Sequence, residues 1–257
     1  MDYSKLFQFS DSRVLVIGAG SGIGRESAIA LAAHGASVIC ADSDETTARA
    51  TAALIGGAAT PKVLDVLDHA AIRAAADEYS DVSALVFTAA TNVRKRIVDY
   101  TMDEFDRVLN LNLRSSFALI QAFAPKMALR GGGSIIGFSS IRAFTVEPGQ
   151  SVYAATKAGL VQLVRTAAAE FGPANVRVNV IAPGIVETPL TSQIKDDQEW
   201  YSAYAQKSAL GRWSKPEELA GAVVYLASHA STFVTGSVLM VDGGWTAVDG
   251  RFDPPNS

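Results

Sequence analysis

The sequence predicts a doubly wound α/β fold in a single domain over residues 1–257, with about seven parallel strands and helices on both faces of the sheet. Short β-branched runs alternate along the chain with longer segments rich in Ala and Leu. The short runs are continuously apolar, which is typical of parallel strands that are buried on both faces. With 49% hydrophobic and 19% charged residues, the 257-residue chain can also bury one large core.

These runs give the order of the elements. Strands are predicted at residues 13–18, 37–41, 62–65, 84–88, 133–138, 176–181 and 237–241. Helices are predicted at residues 22–34, 45–55, 68–79, 102–112, 113–129, 151–171 and 216–227. Gly35 is expected to end the first helix and Asp68 to cap the third. Residues 250–257 are expected to form a short tail.

Charge, hydropathy and cysteine usage exclude several classes of function. A net charge of −4 gives no basic surface for nucleic acid. The chain has no 18-residue apolar span and no signal peptide, so we expect neither a membrane span nor secretion. The single cysteine, Cys40, cannot form an internal disulfide, which fits a reducing cytoplasm, and its apolar run predicts a buried small hydrophobe. The three histidines lie far apart in sequence, so no metal site is expected.

A glycine-rich loop joins the first predicted strand to the first predicted helix. Its sequence is Gly18-Ala19-Gly20-Ser21-Gly22-Ile23-Gly24. Glycines let a pyrophosphate approach the helix N-terminus, where free N–H groups and the helix dipole favour an anion. The spacing is G-x-x-x-G-x-G rather than the more general G-x-G-x-x-G. A glycine-rich loop alone can be only a flexible turn, but the strand before it and the helix after it indicate a Rossmann-type dinucleotide site.

Asp42 follows the second predicted strand, where a carboxylate can bind the 2′-hydroxyl of an adenosine ribose and repel a 2′-phosphate. The alternative is that Asp42 caps the next helix, although Asp44 fits that cap better. No basic residue precedes Gly24 in the loop to neutralise a phosphate. The sequence therefore favours NAD over NADP. Asp65 ends the third predicted strand, near the expected adenine edge, and a simple turn residue is its alternative.

Tyr153 and Lys157 lie four residues apart and so share one face of a predicted helix. The ordinary pKa of a phenol is about 10, and a nearby ammonium group favours the phenolate. The pair can therefore act as a general acid/base, with Ser140 supplying a hydroxyl to hold the substrate oxygen. The same pair also occurs by chance in helices, so this interpretation depends on the cofactor site that precedes it.

Taken together, the glycine-rich loop, Asp42, Ser140, Tyr153 and Lys157 resemble the short-chain dehydrogenase/reductase family. The resemblance covers nearly the whole chain. It extends to the turn Pro183-Gly184 and to the two terminal segments, Val234-Thr235-Gly236 and Val241-Asp242-Gly243-Gly244.

The resemblance implies hydride transfer between NAD(H) and a secondary alcohol or ketone. It makes Tyr153 the general acid/base, and Ser140 the group that orients the substrate oxygen. Lys157 would lower the pKa of Tyr153 and bind the nicotinamide ribose. Asn112 would hold a water in the proton relay, with Asn110 as a neighbour that fits the family pattern less well. The implied cofactor contacts are Gly18, Gly20, Ser21, Gly22, Ile23, Gly24, Asp42, Asp65, Val66, Ala89, Ala90, Tyr153, Lys157, Pro183, Gly184, Ile185 and Thr188.

Two segments depart from the family pattern. Ile17 stands where the family usually has Thr, and Phe87-Thr88-Ala89-Ala90 stands where it usually has Asn-Asn-Ala-Gly. The usual residues brace the sheet beside the adenosine. Because Thr88 keeps a hydroxyl and the two alanines are small, we still expect the cofactor to bind and the enzyme to be active.

The substrate is expected to bind among the loops that follow the strands, at residues 91–98, 141–150 and 185–213. Arg142, two residues after Ser140, can anchor a carboxylate through a bidentate pair. Residues 92–95, which include Arg94, are similar to family members that act on gluconate and related sugar acids. These observations favour a small polar or acidic alcohol. The alternatives are that Arg94 belongs to a solvated charge run and that Arg142 only pairs with Glu147.

Other interpretations remain open from the sequence. The aromatic residues of the third loop, Trp200, Tyr201, Tyr204 and Trp213, can form a lid or an oligomer contact. An NADP-dependent 3-oxoacyl carrier-protein reductase shares every catalytic motif, although Asp42 argues against it. A non-catalytic dinucleotide sensor or scaffold is a different class, against which the intact catalytic set argues. Family members are commonly homotetramers, so a homotetramer or homodimer built through the helices at 113–129 and 151–171 is expected.

Overall fold

The computed structural model describes residues 2–248, which fold into one α/β domain with a single seven-stranded sheet. The strands are β1 (Arg13–Ile17), β2 (Ser37–Asp42), β3 (Ala59–Val63), β4 (Ala84–Phe87), β5 (Gly133–Phe138), β6 (Val176–Pro183) and β7 (Val238–Val241). The helices are α1 (Gly22–Ala33), α2 (Glu45–Ile55), α3 (His69–Glu78), α4 (Met102–Leu109), α5 (Ser115–Leu129), α6 (Ser151–Phe171), α7 (Ser192–Lys195), α8 (Gln198–Lys207) and α9 (Glu217–Ala227). The predicted fold class is confirmed. The predicted tail, 250–257, lies outside the described residues.

The sheet has a topological switch point between β1 and β4. Its strand order is β3-β2-β1-β4-β5-β6-β7, and all neighbouring strands are parallel. The chain therefore returns past β1 after β3, and the loops leaving β1 and β4 diverge to opposite sides. Ile17 pairs with Phe87 at the ends of these two strands. A crevice opens outside the carboxyl ends at such a point, which is where ligands bind in open α/β sheets.

Each face of the sheet supports its own core. Leu15 and Ile17 of β1 belong to one buried cluster, while Val14 and Val16 belong to another. Successive side chains of a strand point to opposite faces, so an apolar residue is needed at every position. Cys40 is buried in the second cluster, and burial raises the pKa of its thiol to about 11. The cysteine is therefore the small buried hydrophobe that the sequence predicts.

Two predicted boundaries are wrong. The third strand spans Ala59–Val63 rather than 62–65, and Pro61 lies inside it. Because β3 is an edge strand with mostly exposed side chains, it tolerates a residue that lacks an N–H group. The predicted break between residues 112 and 113 is instead a π-helical turn, Asn110–Arg114, that links α4 directly to α5.

The segment expected to be a loop at 185–213 contains the helices α7 and α8. Asp197 caps α8 by accepting a hydrogen bond from the Trp200 N–H at 3.0 Å. No residue of α8 is fully buried, but Trp200, Tyr201, Tyr204 and Ala205 form a partly buried stripe at helical spacing, a signal that the sequence prediction missed. Within residues 2–248, no helix combines the length and apolar character needed to cross a membrane.

Candidate active site

The glycine-rich loop packs its own backbone so closely that side chains are excluded. At Gly24, a Cβ atom would lie 2.0 Å from the Gly18 carbonyl oxygen. Gly18 itself has a φ of +82°, in the region that favours glycine. Ser21, at the N-cap of α1, makes no capping hydrogen bond through its side chain. The N-terminus of α1 is therefore left to bind an anion, as a dinucleotide pyrophosphate requires.

Asp42 and Asp44 divide two tasks at the end of β2. Asp44 caps α2 by accepting from the N–H groups of Thr46 at 2.8 Å and Thr47 at 3.4 Å. The Asp42 carboxylate accepts from the Gly20 N–H at 2.8 Å and the Asp44 N–H at 3.1 Å. Asp42 is thus fixed against the glycine-rich loop, and a carboxylate with two N–H donors keeps further acceptor capacity for a ribose.

Contacts of Thr88 explain why Ile17 can replace the usual threonine of the family pattern. Its hydroxyl donates to the Ile17 carbonyl oxygen at 3.2 Å and reaches the Gly18 oxygen at 3.4 Å. The side chain therefore ties the end of β4 to the start of the glycine-rich loop. Since both oxygens belong to the backbone, the tie does not need a polar side chain at position 17.

A cavity of about 420 Å³ lies along the carboxyl edge of the sheet, from Asp42 at one end to Tyr153 at the other. The predicted residues that line it are Gly18, Ser21, Gly22, Ile23, Gly24, Asp42, Asp65, Val66, Ala89, Ala90, Ser140, Tyr153, Lys157, Pro183, Gly184 and Thr188. Lining residues that the sequence did not single out include Ser43, Leu64, Val186 and Leu190. They are close neighbours of predicted residues, so extending each strand-end motif by one or two positions would have found most of them.

Two predicted cofactor residues do not line this cavity. Gly20 is the part of the loop that packs on Thr47 and Asp42, where an added Cβ atom would lie 2.2 Å from the Thr47 hydroxyl. The Ile185 side chain is buried with Ile194 and Trp213. Asp65 does line the cavity, and its carboxylate also accepts from the Leu67 N–H at 2.9 Å, so it forms a turn as well.

Tyr153 and Lys157 lie side by side on α6, with 9% and 4% of each residue exposed. The Lys157 Nζ lies 5.5 Å from the centroid of the Tyr153 ring and donates to the Phe138 carbonyl oxygen at 2.7 Å. Burial lowers the pKa of Lys157 to about 8. Both residues line the inner end of the cavity, and their catalytic roles stay a prediction.

Burial also dominates the environment of the Tyr153 phenol. It raises the pKa of Tyr153, while a hydrogen bond with Ser140 and the positive charges of Arg94 and Arg142 act in the opposite direction. The charges of these two arginines therefore act on the pKa of Tyr153 in the direction that favours its phenolate. The influence of Lys157 on that pKa, which the family resemblance implies, stays a prediction.

Two serines directly after β5 fix the segments around Tyr153 and Lys157. The Ser140 hydroxyl accepts from the Arg142 N–H at 3.1 Å, which begins a short 3₁₀ turn, Ile141–Ala143. Ser139 donates to the Lys157 carbonyl oxygen at 2.9 Å, which fixes the strand to α6. The sequence did not predict this role for Ser139.

Asn112 is almost completely buried in the π-helical turn. Its amide oxygen accepts from the Thr91 N–H at 2.8 Å, and its amide nitrogen donates to the Thr91 carbonyl at 2.9 Å and the Thr156 hydroxyl at 3.2 Å. The side chain therefore joins the loop after β4 to α6, beside Lys157. Its predicted place in a proton relay stays a prediction.

Arg94 and Arg142 both contact one carboxylate. Arg142 lies 2.7 Å from the Glu147 carboxylate and Arg94 lies 3.5 Å from it. The pairing of Arg142 with Glu147, weighed from the sequence as an alternative, is thus present. Arg94 does not belong to a solvated face, because only 18% of its side chain is exposed.

The aromatic residues of α8 close over these arginines. The Tyr204 hydroxyl donates to Glu147 and accepts from Arg142 at 3.2 Å. Arg94 lies 5.1 Å from the Trp200 ring centroid, and Arg142 lies 5.6 Å from that of Trp245. Trp200 and Tyr204 of α8 therefore cover the two arginines, and whether this segment is a lid or an oligomer contact stays a prediction. Within the described residues, no cluster of three His, Cys, Asp or Glu side chains is arranged to hold a metal ion.

Comparison with known proteins agrees with this geometry. The family model described as enoyl-(acyl carrier protein) reductase matches residues 18–246. A 3-oxoacyl-[acyl-carrier-protein] reductase of Thermotoga maritima is 35% identical over 237 residues, covering 90% of this chain and 96% of that protein. The gluconate 5-dehydrogenase of Gluconobacter oxydans is 34% identical over 254 residues, covering 96% and 99%.

A solved structure is also similar over almost the whole chain. It is a gluconate 5-dehydrogenase from Burkholderia cenocepacia in complex with NADP and tartrate. It superposes with a TM-score of 0.91 at 34% identity, covering 95% of this chain and 98% of that one. The chain therefore belongs to the short-chain dehydrogenase/reductase family, whose members are oxidoreductases that use nicotinamide dinucleotides.

Proposed function

We propose that this protein interconverts a secondary alcohol and a ketone on a small acidic substrate of the sugar-acid class, with NAD as its cofactor. The observation that carries the proposal is the position of Arg94 and Arg142, two largely buried arginines whose charges reach the Tyr153 phenol. Guanidinium groups recognise carboxylates by bidentate hydrogen bonds. Relatives named gluconate 5-dehydrogenase support the same substrate class.

In this proposal the residues around Tyr153 manage the proton of the reacting hydroxyl. Tyr153 accepts it during oxidation and returns it during reduction. Ser140 holds the substrate oxygen near the phenol, and Lys157 binds the nicotinamide ribose. Asn112 supports the relay through its contacts with Thr91 and with α6. The cofactor, when bound, supplies the hydride chemistry.

Asp42 supports NAD over NADP. Replacing Asp42 with Asn should shift the ratio of NADPH to NADH affinity toward NADPH by about 10- to 100-fold, because the change removes a negative charge that faces the 2′-position. Fluorescence titration with both reduced cofactors measures this ratio. Asp44→Asn is the matched control, since Asp44 caps α2 and should leave the ratio unchanged. Tighter binding of NADPH than NADH by the unmodified protein would contradict the proposal.

Arg142 tests the substrate class. An NAD-reduction screen over sugar acids, polyols, cyclic alcohols and hydroxyacyl esters should find its best substrates among the acids. With an acid found in this way, Arg142→Ala should raise KM by about 10- to 100-fold, and by much less for a neutral analogue, since a charge-assisted hydrogen bond contributes about 1.5–3 kcal/mol. Arg13→Ala, which breaks an ion pair with Asp81 at the opposite end of β1, is the control. Equal effects on acidic and neutral substrates would remove the carboxylate anchor.

A second candidate activity is NADP-dependent reduction of 3-oxoacyl thioesters, which the Thermotoga maritima relative favours by name. The two candidates differ in both cofactor and substrate. Turnover of a 3-oxoacyl thioester with NADPH, at a rate above that of any sugar acid with NAD, would establish the second. The absence of turnover on either class would instead favour a dinucleotide sensor or scaffold.

A further inference from the structure

Glu147 is the centre of a network of largely buried polar side chains in the loop that begins at Ser140. Its carboxylate lies 2.7 Å from a guanidinium nitrogen of Arg142 and 3.5 Å from one of Arg94. It also accepts hydrogen bonds from the Gln150 amide and the Tyr204 hydroxyl. One carboxylate therefore holds four donors that come from three different parts of the chain.

The backbone holds Glu147 beside both arginines. The Lys95 N–H donates to the Gly149 carbonyl oxygen at 3.0 Å, so the loop that carries Arg94 is tied to the loop that carries Glu147. Arg142 is 7% exposed and lies in the short turn that begins at Ser140. The Glu147 carboxylate is therefore held in a fixed position relative to both arginines.

The network leaves polar capacity unused. Among the described residues, buried side-chain atoms without a hydrogen-bond partner include Arg94 Nε, Asn92 Oδ1 and Ser151 Oγ. Asn92 also donates to Gln150 at 3.1 Å, which places its free oxygen beside the Glu147 network. Buried donors and acceptors are nearly always paired, so this group indicates a ligand with both acceptor and donor atoms. A hydroxylated acid has both.

The charges of the network select for the charge of that ligand. Two guanidinium groups and one carboxylate leave a net charge of +1. A monocarboxylate brings the total to zero, whereas a dicarboxylate or a phosphate monoester would leave a negative charge in a site of low exposure. An uncompensated buried charge is costly, so the balance favours a ligand with a single negative charge.

We propose that Glu147 is a specificity-determining residue: it neutralises one charge of the Arg94–Arg142 pair, so the substrate site accepts a monocarboxylate and rejects a dianion. This inference rests on the proposed function, because it takes the arginine pair as the acid-binding subsite. The Tyr204 hydroxyl also donates to this carboxylate, so α8 is tied to the residue that sets the charge of the subsite.

D-Gluconate and D-glucarate test the inference directly, because they share a six-carbon hydroxylated chain and differ by one carboxylate. Their binding is measured by calorimetry on the whole protein saturated with NADH. The unmodified protein should bind gluconate at least about tenfold more tightly than glucarate. Glu147→Gln should reverse or narrow that ratio by about tenfold or more, because it adds one positive charge to the subsite while keeping an oxygen to accept from Tyr204.

Tyr204→Phe is the matched control, since it removes one hydroxyl from the network without changing its charge. It should weaken the binding of both anions by a similar factor, and thermal unfolding should show that both variants are folded. If Glu147→Gln weakens the binding of both anions by the same factor, as is expected for Tyr204→Phe, Glu147 only supports the loop and the inference is wrong. If the unmodified protein binds neither anion, the acid-binding subsite itself is wrong, and with it the proposed function. If gluconate binds but Glu147→Gln leaves the ratio of gluconate to glucarate affinity unchanged, only the inference is overturned.

Discussion

Replacement of Tyr153 with Phe is expected to lower kcat for alcohol oxidation by about 10²- to 10⁴-fold, with NADH binding changed by no more than a few-fold. The Tyr153 phenol lines the inner end of the cavity together with Ser140, which acts to lower the phenol's pKa. Phenylalanine keeps the buried ring at position 153 and removes only the hydroxyl that is proposed to transfer the proton. Steady-state kinetics with a substrate from the screen, together with NADH titration, measure the two effects separately.

The pH dependence of the oxidation rate tests the role of Tyr153 independently. Tyr153 must be deprotonated to accept a proton, and burial raises its pKa above the ordinary value of 10. The rate of oxidation should therefore increase as pH rises through the alkaline range, and Tyr153→Phe should abolish that increase. Tyr79→Phe serves as the control, because Tyr79 ends α3 and does not line the cavity. Unchanged turnover in Tyr153→Phe would show that another group transfers the proton.

Replacement of Gly24 with Ala is expected to abolish measurable NADH binding and to lower the free energy of unfolding by about 3 kcal/mol or more. The new Cβ would lie 2.0 Å from the Gly18 oxygen and 2.7 Å from the Thr88 hydroxyl. The first of these atoms belongs to the backbone, so relief requires α1 to move away from the loop that is expected to hold the pyrophosphate. Urea unfolding and NADH titration measure the two losses.

Gly221 in α9 provides the contrasting substitution. A Cβ atom there would meet nothing within 4 Å. Gly221→Ala should therefore raise the free energy of unfolding by about 0.5–1 kcal/mol, which is the ordinary preference of a helix for alanine. NADH binding should be unchanged. Similar losses in the two variants would mean that the close contact at Gly24 is relieved easily, and that the tight loop does not determine cofactor affinity.

Much of the fold could be predicted because it follows from local sequence. The four residues after Arg13 in β1 are all apolar, as a parallel strand covered on both faces requires, and the glycine-rich turn follows at once. The assignment of Asp44 rather than Asp42 to the helix cap was also local, since a cap residue bonds to the next two or three N–H groups. Asp42 was then left free to face the loop.

The parts that could not be predicted depend on contacts between distant segments. Pro61 lies within a strand only because that strand is at the edge of the sheet, which the local sequence does not reveal. Glu147 was recognised as a partner for Arg142, but its contact with Tyr204 joins residues 57 positions apart. A network of this kind has no period and no motif. The reaction class was therefore readable from the sequence, whereas the residues that select the substrate required the structure.

The π-helical turn at Asn110–Arg114 has a consequence for how α4 and α5 relate. A regular helix advances about 100° per residue, so one extra residue in a turn shifts the angular phase of everything that follows by about that amount. The apolar residues of α4 and α5 therefore share one helical period but point in two different directions around the axis. Val108 and Phe123 each face a core that the other helix does not share. Deleting a single residue within the turn would restore one phase, and it would rotate one of these faces out of its core.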